Sequence, residues 1–498
     1  MSPKVTIKCL PTGVPGLDVL LGGGVPEFSF NLIAGAPGCG KTTLAHQMMF
    51  AMATPERPAL YLTVLGEPPL KMLRYQQQYG FFDGEAVGRS IHFVNLSEDA
   101  LSGDFDRVLR RIVAEVEAVN PAFVFVDSFR SMSHAGAAER PHNDLQQFVQ
   151  ELGMLMTSWQ ATTFLLGEYS SQTEANPVFT VADGMICLQQ SVQRNSMVRK
   201  LEVKKMRGQA TLPGLHSFRI CPDGIRVFAP AYTVDPGVGT TSTSDKLGPR
   251  ISMGVTGLDE MLNGGLPQGF SLLLAGPSGS GKSILASSFL AAGARAGETG
   301  VMVAFEQVPN RSRSPELAEL IESGKVGLLR TLAPDTSIDE IVHRIVDEIR
   351  RLKASRVVID SLTGLQLLVA PTFQEDFRES LLRLVTALVE TGVSVLMTCE
   401  LEDRYDDLRF SPFGSASLTD AIIVQRYIEV ESRLLRVMAV VKLRASKHSD
   451  ELRLFHIDDD GIQVGKPLPN QEGLLGGRPT EKPNASKSDV SGSGTGKS

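Results

Sequence analysis

The chain has 498 residues, 42% of them hydrophobic and 21% charged, which is too apolar for disorder throughout and enough for more than one core. A formal charge of −7 argues against a protein whose main work is gripping a nucleic-acid backbone. Five scattered cysteines without a Cys-x-x-Cys pair argue against a disulfide framework or zinc ribbon. With no apolar run of ~18 residues and no signal-peptide core, the expectation is a soluble cytoplasmic protein with no membrane partner.

In chain order, Thr12-Gly13-Val14-Pro15-Gly16-Leu17-Asp18 leads to Gly23-Gly24-Val25-Pro26. An apolar strand, Asn31–Ala34, then runs into Gly35-Ala36-Pro37-Gly38-Cys39-Gly40-Lys41-Thr42-Thr43. Ala59–Val64 and Phe123–Val126 read as buried strands, and Phe105–Val119 carries apolar residues at helical spacing. The second of these strands ends in Asp127-Ser128, and Lys205-Met206-Arg207 and Asp223-Gly224-Ile225 come later.

After Ala231–Arg250, a linker with almost no apolar periodicity, the same order returns. Ser252 to Asp259 repeats the lead, and Leu272–Ala275 runs into Gly276-Pro277-Ser278-Gly279-Ser280-Gly281-Lys282-Ser283-Ile284. Gly300–Phe305, Val357–Ile359 and Ser394–Met397 read as strands, and Ile338–Leu352 as a helix. Asp360-Ser361, Lys442-Leu443-Arg444 and Asp460-Gly461-Ile462 complete the second copy. Matching motifs in matching order mean duplication with small loop insertions. The division predicted is a first domain at 1–230, a linker at 231–250, a second domain at 251–467 and a disordered Gly/Ser/Lys-rich tail at 468–498. The alternation of strands and helices predicts an α/β fold, a mostly parallel twisted sheet with helices on both faces.

Both Gly-x-x-x-x-Gly-Lys-[Thr/Ser] segments have the strand before and the helix after that a phosphate loop needs. Their glycines let backbone N–H groups turn inward on phosphate, and the helix adds the positive end of its dipole. Lys41 and Lys282 are then placed to neutralise β/γ oxygens, and the Thr42 and Ser283 hydroxyls to ligate Mg²⁺. ATP or another nucleoside triphosphate is the ligand expected at both. Asp127 and Asp360 end apolar strands, where a Mg²⁺-side carboxylate belongs. Helix capping is the other reading of an Asp-Ser pair, and the matched positions favour the metal. Cys39, inside the first loop, invites a further reading as an oxidation-sensitive brake. The terminal Gly494-Thr495-Gly496-Lys497-Ser498 imitates a phosphate loop without strand or helix and is given no role.

Together, the Gly-Leu-Asp lead, the phosphate loop, the strand ending in Asp-Ser and the late Lys-x-Arg strand, each present twice, resemble the KaiC family, built from two tandem RecA-like P-loop NTPase domains. The resemblance implies homohexamers with ATP and Mg²⁺ between subunits, hydrolysis in the first ring and serine/threonine autophosphorylation in the second, in a signalling or timing hub with protein partners. It implies Glu67 and Glu306 as the carboxylates that polarise the attacking oxygen. Each stands alone where the family has a pair, in Gly66-Glu67 and Glu306-Gln307. It implies Lys205, Arg207, Lys442 and Arg444 as cations reaching a neighbour's γ-phosphate. Ala445 replaces the family's Gly after Arg444. In Ser415-Ala416-Ser417-Leu418-Thr419-Asp420 the family's first phosphoacceptor has become Ala416, leaving Ser417 and Thr419 as candidates. Two alternatives share the fold: a RecA/RadA-like ATPase driven by nucleic acid, and a nucleotide-gated scaffold with little turnover.

Overall fold

The computed structural model describes residues 7–64, 69–101, 105–127, 142–168, 177–193, 196–230, 248–305, 315–330, 336–368, 377–401, 417–430, 432–459, 461–467, 471–472 and 480–481. The chain divides into two compact units, Met1–Pro230 and Ala231–Ser498.

Each unit is built on one nine-stranded sheet. In the first, the strands are β1 (Phe30–Gly35), β2 (Ala59–Thr63), β3 (Ile91–Asn95), β4 (Phe123–Asp127), β5 (Thr162–Gly167), β6 (Gly184–Gln193), β7 (Ser196–Met206), β8 (His216–Cys221) and β9 (Gly224–Phe228). Their spatial order is β9-β8-β7-β6-β1-β5-β4-β2-β3. The second unit repeats the plan with β10 (Ser271–Gly276), β11 (Gly300–Ala304), β12 (Val326–Arg330), β13 (Arg356–Asp360), β14 (Ser394–Glu400), β15 (Ala421–Val430), β16 (Arg433–Leu443), β17 (Arg453–Asp458) and β18 (Gly461–Pro467). Its order, β12-β11-β13-β14-β10-β15-β16-β17-β18, mirrors the first strand for strand. From β3 across to β6 every pairing is parallel, and β7, β8 and β9 add an antiparallel meander.

The parallel strands are apolar on both sides because both faces are covered. Ile33 of β1 packs with Leu44, Met48 and Met49 of α1 (Lys41–Met52). Its neighbours Leu32 and Ala34 face the other layer, α2 (Phe105–Val119) and α3 (His142–Ser158), through Val108, Ile112 and Leu152. In the second unit Leu272 and Leu274 meet Leu285 and Phe289 of α4 (Lys282–Arg295). There Leu273 and Ala275 meet Ile341 and Ile345 of α5 (Ile338–Leu352) and Leu384 of α6 (Phe377–Glu390). The amphipathic spacing places α2 and α5 with both ends as expected. β14 runs three residues past Met397, because its parallel partner β10 pairs Thr398, Cys399 and Glu400 whatever their side chains.

The Gly-Leu-Asp lead is a brace. Asp18 Oδ1 accepts the Thr12 N–H and hydroxyl at 2.9 and 2.6 Å, and Asp259 accepts the Met253 N–H at 2.7 Å and the Ser252 hydroxyl at 2.5 Å. Most of the linker, 231–247, lies outside the described residues, and Arg250 already belongs to the second unit's leading ribbon with Leu266–Pro267. β18 ends at Pro467, where the second domain was expected to end, and beyond it the described residues are Gln471–Glu472, paired antiparallel with Thr480–Glu481.

Candidate nucleotide sites

In each unit the central strand of the sheet, β1 or β10, ends in a glycine loop that closes onto a helix starting at the lysine. Gly40 and Gly281, just before those helices, have φ of 107° and 99°, where a side chain would be strained, so glycine is needed there. Lys41 folds back over its loop, donating to the Gly35 and Ala36 carbonyls at 2.9 and 3.0 Å. Lys282 does the same to Gly276 and Pro277 at 2.9 and 2.7 Å. Pro37, Gly38, Gly40, Lys41, Thr42 and Thr43 line a cleft of about 410 Å³, and Ser278, Gly279, Gly281, Lys282, Ser283 and Ile284 line one of about 260 Å³.

The strand next but one to each loop brings its aspartate to the same cleft. Thr42 donates to Asp127 Oδ2 at 2.9 Å, and Ser283 to Asp360 Oδ2 at 2.8 Å. Burial pushes the Asp127 carboxyl above its ordinary range, against the hydrogen bonds from Tyr61 and Thr42. Among the described residues no cluster of three or more His, Cys, Asp or Glu could hold a metal alone. A hydroxyl beside a single carboxylate fits Mg²⁺, which keeps several waters and takes its remaining ligands from substrate phosphates.

The hydroxyl behind each aspartate differs. In the first unit Tyr61 of β2 donates to Asp127 Oδ2 at 2.7 Å. In the second the position of Tyr61 is Met302, and Thr398 of β14 donates to Asp360 Oδ1 instead, at 2.5 Å. The support has moved from one flanking strand to the other.

Cys39 does not have the character its charged neighbourhood suggested. It is fully buried, and desolvation raises its pKa against smaller opposing effects of Lys41 and the loop amides. A buried thiol held protonated is a poor oxidation target, which argues against a redox brake at Cys39. Cys39 shares an apolar cluster with Leu188. The matching pair in the second unit is Ser280 and Gln425, joined by a 2.9 Å hydrogen bond. Cys39→Ser is therefore expected to cost about 1–3 kcal/mol by burying an unpaired hydroxyl, and Leu188→Gln added to it to recover part of that loss. Denaturation of the two single variants and the double variant checks this. Simple addition of the two losses would contradict it.

The four proposed trans-acting cations sit at the far end of the sheet from their own loops. Lys205 pairs across β7–β6 with Met185, which lies level with Leu32, three residues before Gly35. Its ammonium donates to Ala182 O at 2.5 Å, and Arg207 pairs with Asp183 at 2.9 Å. Asp183 in turn accepts the N–H of Phe30, the first residue of β1. At ~3.3 Å per residue, Phe30 and Gly35 are about 16 Å apart. In the second unit Lys442 donates to Thr419 O at 2.5 Å and Arg444 pairs with Asp420 at 3.2 Å. The same edge carries the candidate acceptors. Ser417 is exposed, with its carbonyl 2.9 Å from the Arg444 guanidinium, and Thr419 is fully buried. Glu67 and Glu306 lie outside the described residues, as do Ser415 and Ala416.

A glycine loop between strand and helix, a lysine folded over it, and a hydroxyl at the helix start paired with a carboxylate at the end of the strand next but one define a P-loop nucleoside triphosphatase of RecA-like fold, here in tandem. A family model described as "ATPase: KaiC" matches residues 10–232 and 251–468, and the chain belongs to the KaiC family. Relatives of nearly the same length include the circadian clock oscillator protein KaiC of Picosynechococcus sp., 26% identical over 97% of this chain and 95% of that one. The circadian clock protein KaiC3 of Synechocystis sp. is 26% identical over 95% of each, and the oscillator protein of Acaryochloris marina 24% identical over 98% and 94%. No helix among the described residues is long and apolar enough to cross a membrane.

Proposed function

We propose that this KaiC-family ATPase binds Mg-ATP in both units, assembles into homohexamers with nucleotide between subunits, and phosphorylates its own Ser417 in trans, working as a signalling hub whose state is read by other proteins. The observation that carries the assembly is the position of the paired cations. Lys205, Arg207, Lys442 and Arg444 stand on the sheet edge opposite their own phosphate loops, so the phosphate within their reach belongs to another copy. A cation supplied in trans spreads the charge that develops on the transferring phosphoryl group and couples turnover to assembly. In that role Arg207 and Arg444 exchange part of their pairing with Asp183 and Asp420 for phosphate.

In each cleft the chain's own groups have separable tasks. Lys41 and Lys282 hold negative oxygens, and the loop amides and helix N-terminus fix their direction. Thr42 with Asp127, and Ser283 with Asp360, would hold Mg²⁺, which supplies charge neutralisation between the β- and γ-phosphates. Glu67 and Glu306 remain the carboxylates proposed to polarise the attacking oxygen. Ser417 is preferred to Thr419 as acceptor because an attacking hydroxyl must be accessible, and Thr419 is fully buried. Ser417 also lies at the edge remote from its own second cleft, which suits transfer from a neighbour.

Incubation with Mg-ATP, followed by light scattering, phosphate release and phosphosite mapping, tests each part. The expected result is ATP-dependent hexamers, release that is lost in the Lys41→Ala/Lys282→Ala double variant, and phosphate on Ser417. Release without modified Ser417 would remove the kinase and leave the ATPase. Hexamers without release above the double variant would favour a nucleotide-gated scaffold.

A further inference from the structure

Each phosphate cleft holds a second carboxylate besides the aspartate. Glu168 follows directly on β5 and lines the first cleft, and Glu400 ends β14 and lines the second. These strands are equivalent, since β5 lies between β1 and β4 and β14 between β10 and β13. The register is also the same. Glu400 pairs with Gly276, the first glycine of its loop, and Gly167 pairs with Ala34, which sets Glu168 level with Gly35. In both units a glutamate therefore stands beside the start of the phosphate loop and one strand from the Mg²⁺-side aspartate.

The residues just before the two glutamates have diverged, Leu166-Gly167 against Thr398-Cys399, while the glutamate is the same in both. Glu168 is half-buried and Glu400 exposed, and each lines its cleft. Its charge is felt at the site, because Glu168 pushes the Asp127 carboxyl upward, in the same direction as the larger effect of burial. A carboxylate here would repel a γ-phosphate, so its favourable partner is the hydrogen of a molecule lying between them.

We infer that Glu168 and Glu400 accept a hydrogen bond from the attacking water in the first and second clefts and take its proton. The water oxygen bonds to the γ-phosphorus as the bond from that phosphorus to the β,γ-bridging oxygen breaks. The electron pair leaves with ADP, and the proton passes from the carboxylate to the released phosphate. In the second cleft an incoming serine hydroxyl can stand where the water does, its proton passing through the carboxylate to a phosphate oxygen of the ADP or phosphoserine product. This inference rests on the ATPase reading above and gives each cleft a carboxylate in addition to Glu67 or Glu306.

The test compares wild type with Glu168→Gln, Glu400→Gln and the double variant, in single-turnover cleavage of Mg-ATP and in calorimetric binding of Mg-ATP. Glutamine keeps the size and loses the proton-accepting charge. The double variant is expected to cleave about 100-fold more slowly, within the range general base catalysis supplies, and to bind Mg-ATP with equal or higher affinity because a repelling charge is gone. Cleavage within about twofold of wild type, with binding intact, would overturn the assignment. So would parallel loss of binding and rate together with a lowered melting temperature, which marks a structural role. A wild-type protein that binds Mg-ATP and cleaves none would instead bring down the ATPase reading, and this assignment with it.

Discussion

Replacing Lys41 or Lys282 by Ala is expected to weaken Mg-ATP binding at that unit's loop by at least about 100-fold, which corresponds to about 2.8 kcal/mol. Lys41 is only 7% exposed, and its ammonium sits against two carbonyls of the loop it serves. It therefore fixes the loop and presents a positive charge to phosphate at once. A hydrogen bond to a charged group contributes about 1.5–3 kcal/mol, and truncation also leaves the loop carbonyls without their donor. Lys282 is less enclosed and holds the corresponding carbonyls in the same way. Calorimetric titration with a slowly hydrolysed ATP analogue should find two sites in wild type, one in each single variant and none in the double variant. Two sites of unchanged affinity in either single variant would contradict the assignment of the loops.

The largest effect on stability is expected at Arg356, far from the chemistry. Its side chain is 2% exposed and its Nε donates to Glu298 at 2.5 Å. One terminal nitrogen reaches Ser252 O and Phe289 O, at 2.7 and 2.9 Å, and the guanidinium lies 4.7 Å from the centre of the Phe289 ring. It thus ties the start of β13 to α4 and to the leading turn. Truncation to Ala leaves Glu298 with only the Ser355 hydroxyl, takes the donor from two carbonyls and opens a gap against Phe289, and should destabilise the second unit by about 3 kcal/mol. Met at this position should cost less, since it retains packing around the same gap. The matching residue in the first unit is Phe123, so that unit has no such dependence. Trp159, the single tryptophan, lies in the first unit and reports it alone. In Arg356→Ala the urea transition seen by circular dichroism should move while the Trp159 transition stays in place. A common shift of both would mean that the units unfold as one.

The phosphate loops and both aspartates were legible because each demands particular residue types at fixed spacing, and the duplication made every match count twice. The amphipathic helices α2 and α5 were legible to their ends for a related reason, one polar face against one buried face. Glu168 and Glu400 were not. A single glutamate after an apolar run has no pattern, and only the register of β5 and β14 against the loop strands brings it to the cleft. Aligning Gly167-Glu168 with Cys399-Glu400 across the repeats was the one signal that could have found them. Asp183 and Asp420 were hidden in the same way, because their meaning lies in a bond to the first residue of a distant strand. Cys39 went the other way. Its neighbours in the chain suggested a reactive thiolate, and burial, which the chain does not display, outweighed them.

The two aspartates with their different supports bear on how the halves of this chain can be recombined. An exchange of segments that puts Met302 at the position of Tyr61 but keeps Leu166 would leave the aspartate with only the Thr42 hydroxyl, and the opposite exchange would put donors on both of its oxygens. β2 and β5 of one half, and β11 and β14 of the other, must travel together in any working hybrid. The repeats therefore remain alike in outline while being interchangeable only in blocks larger than a single strand.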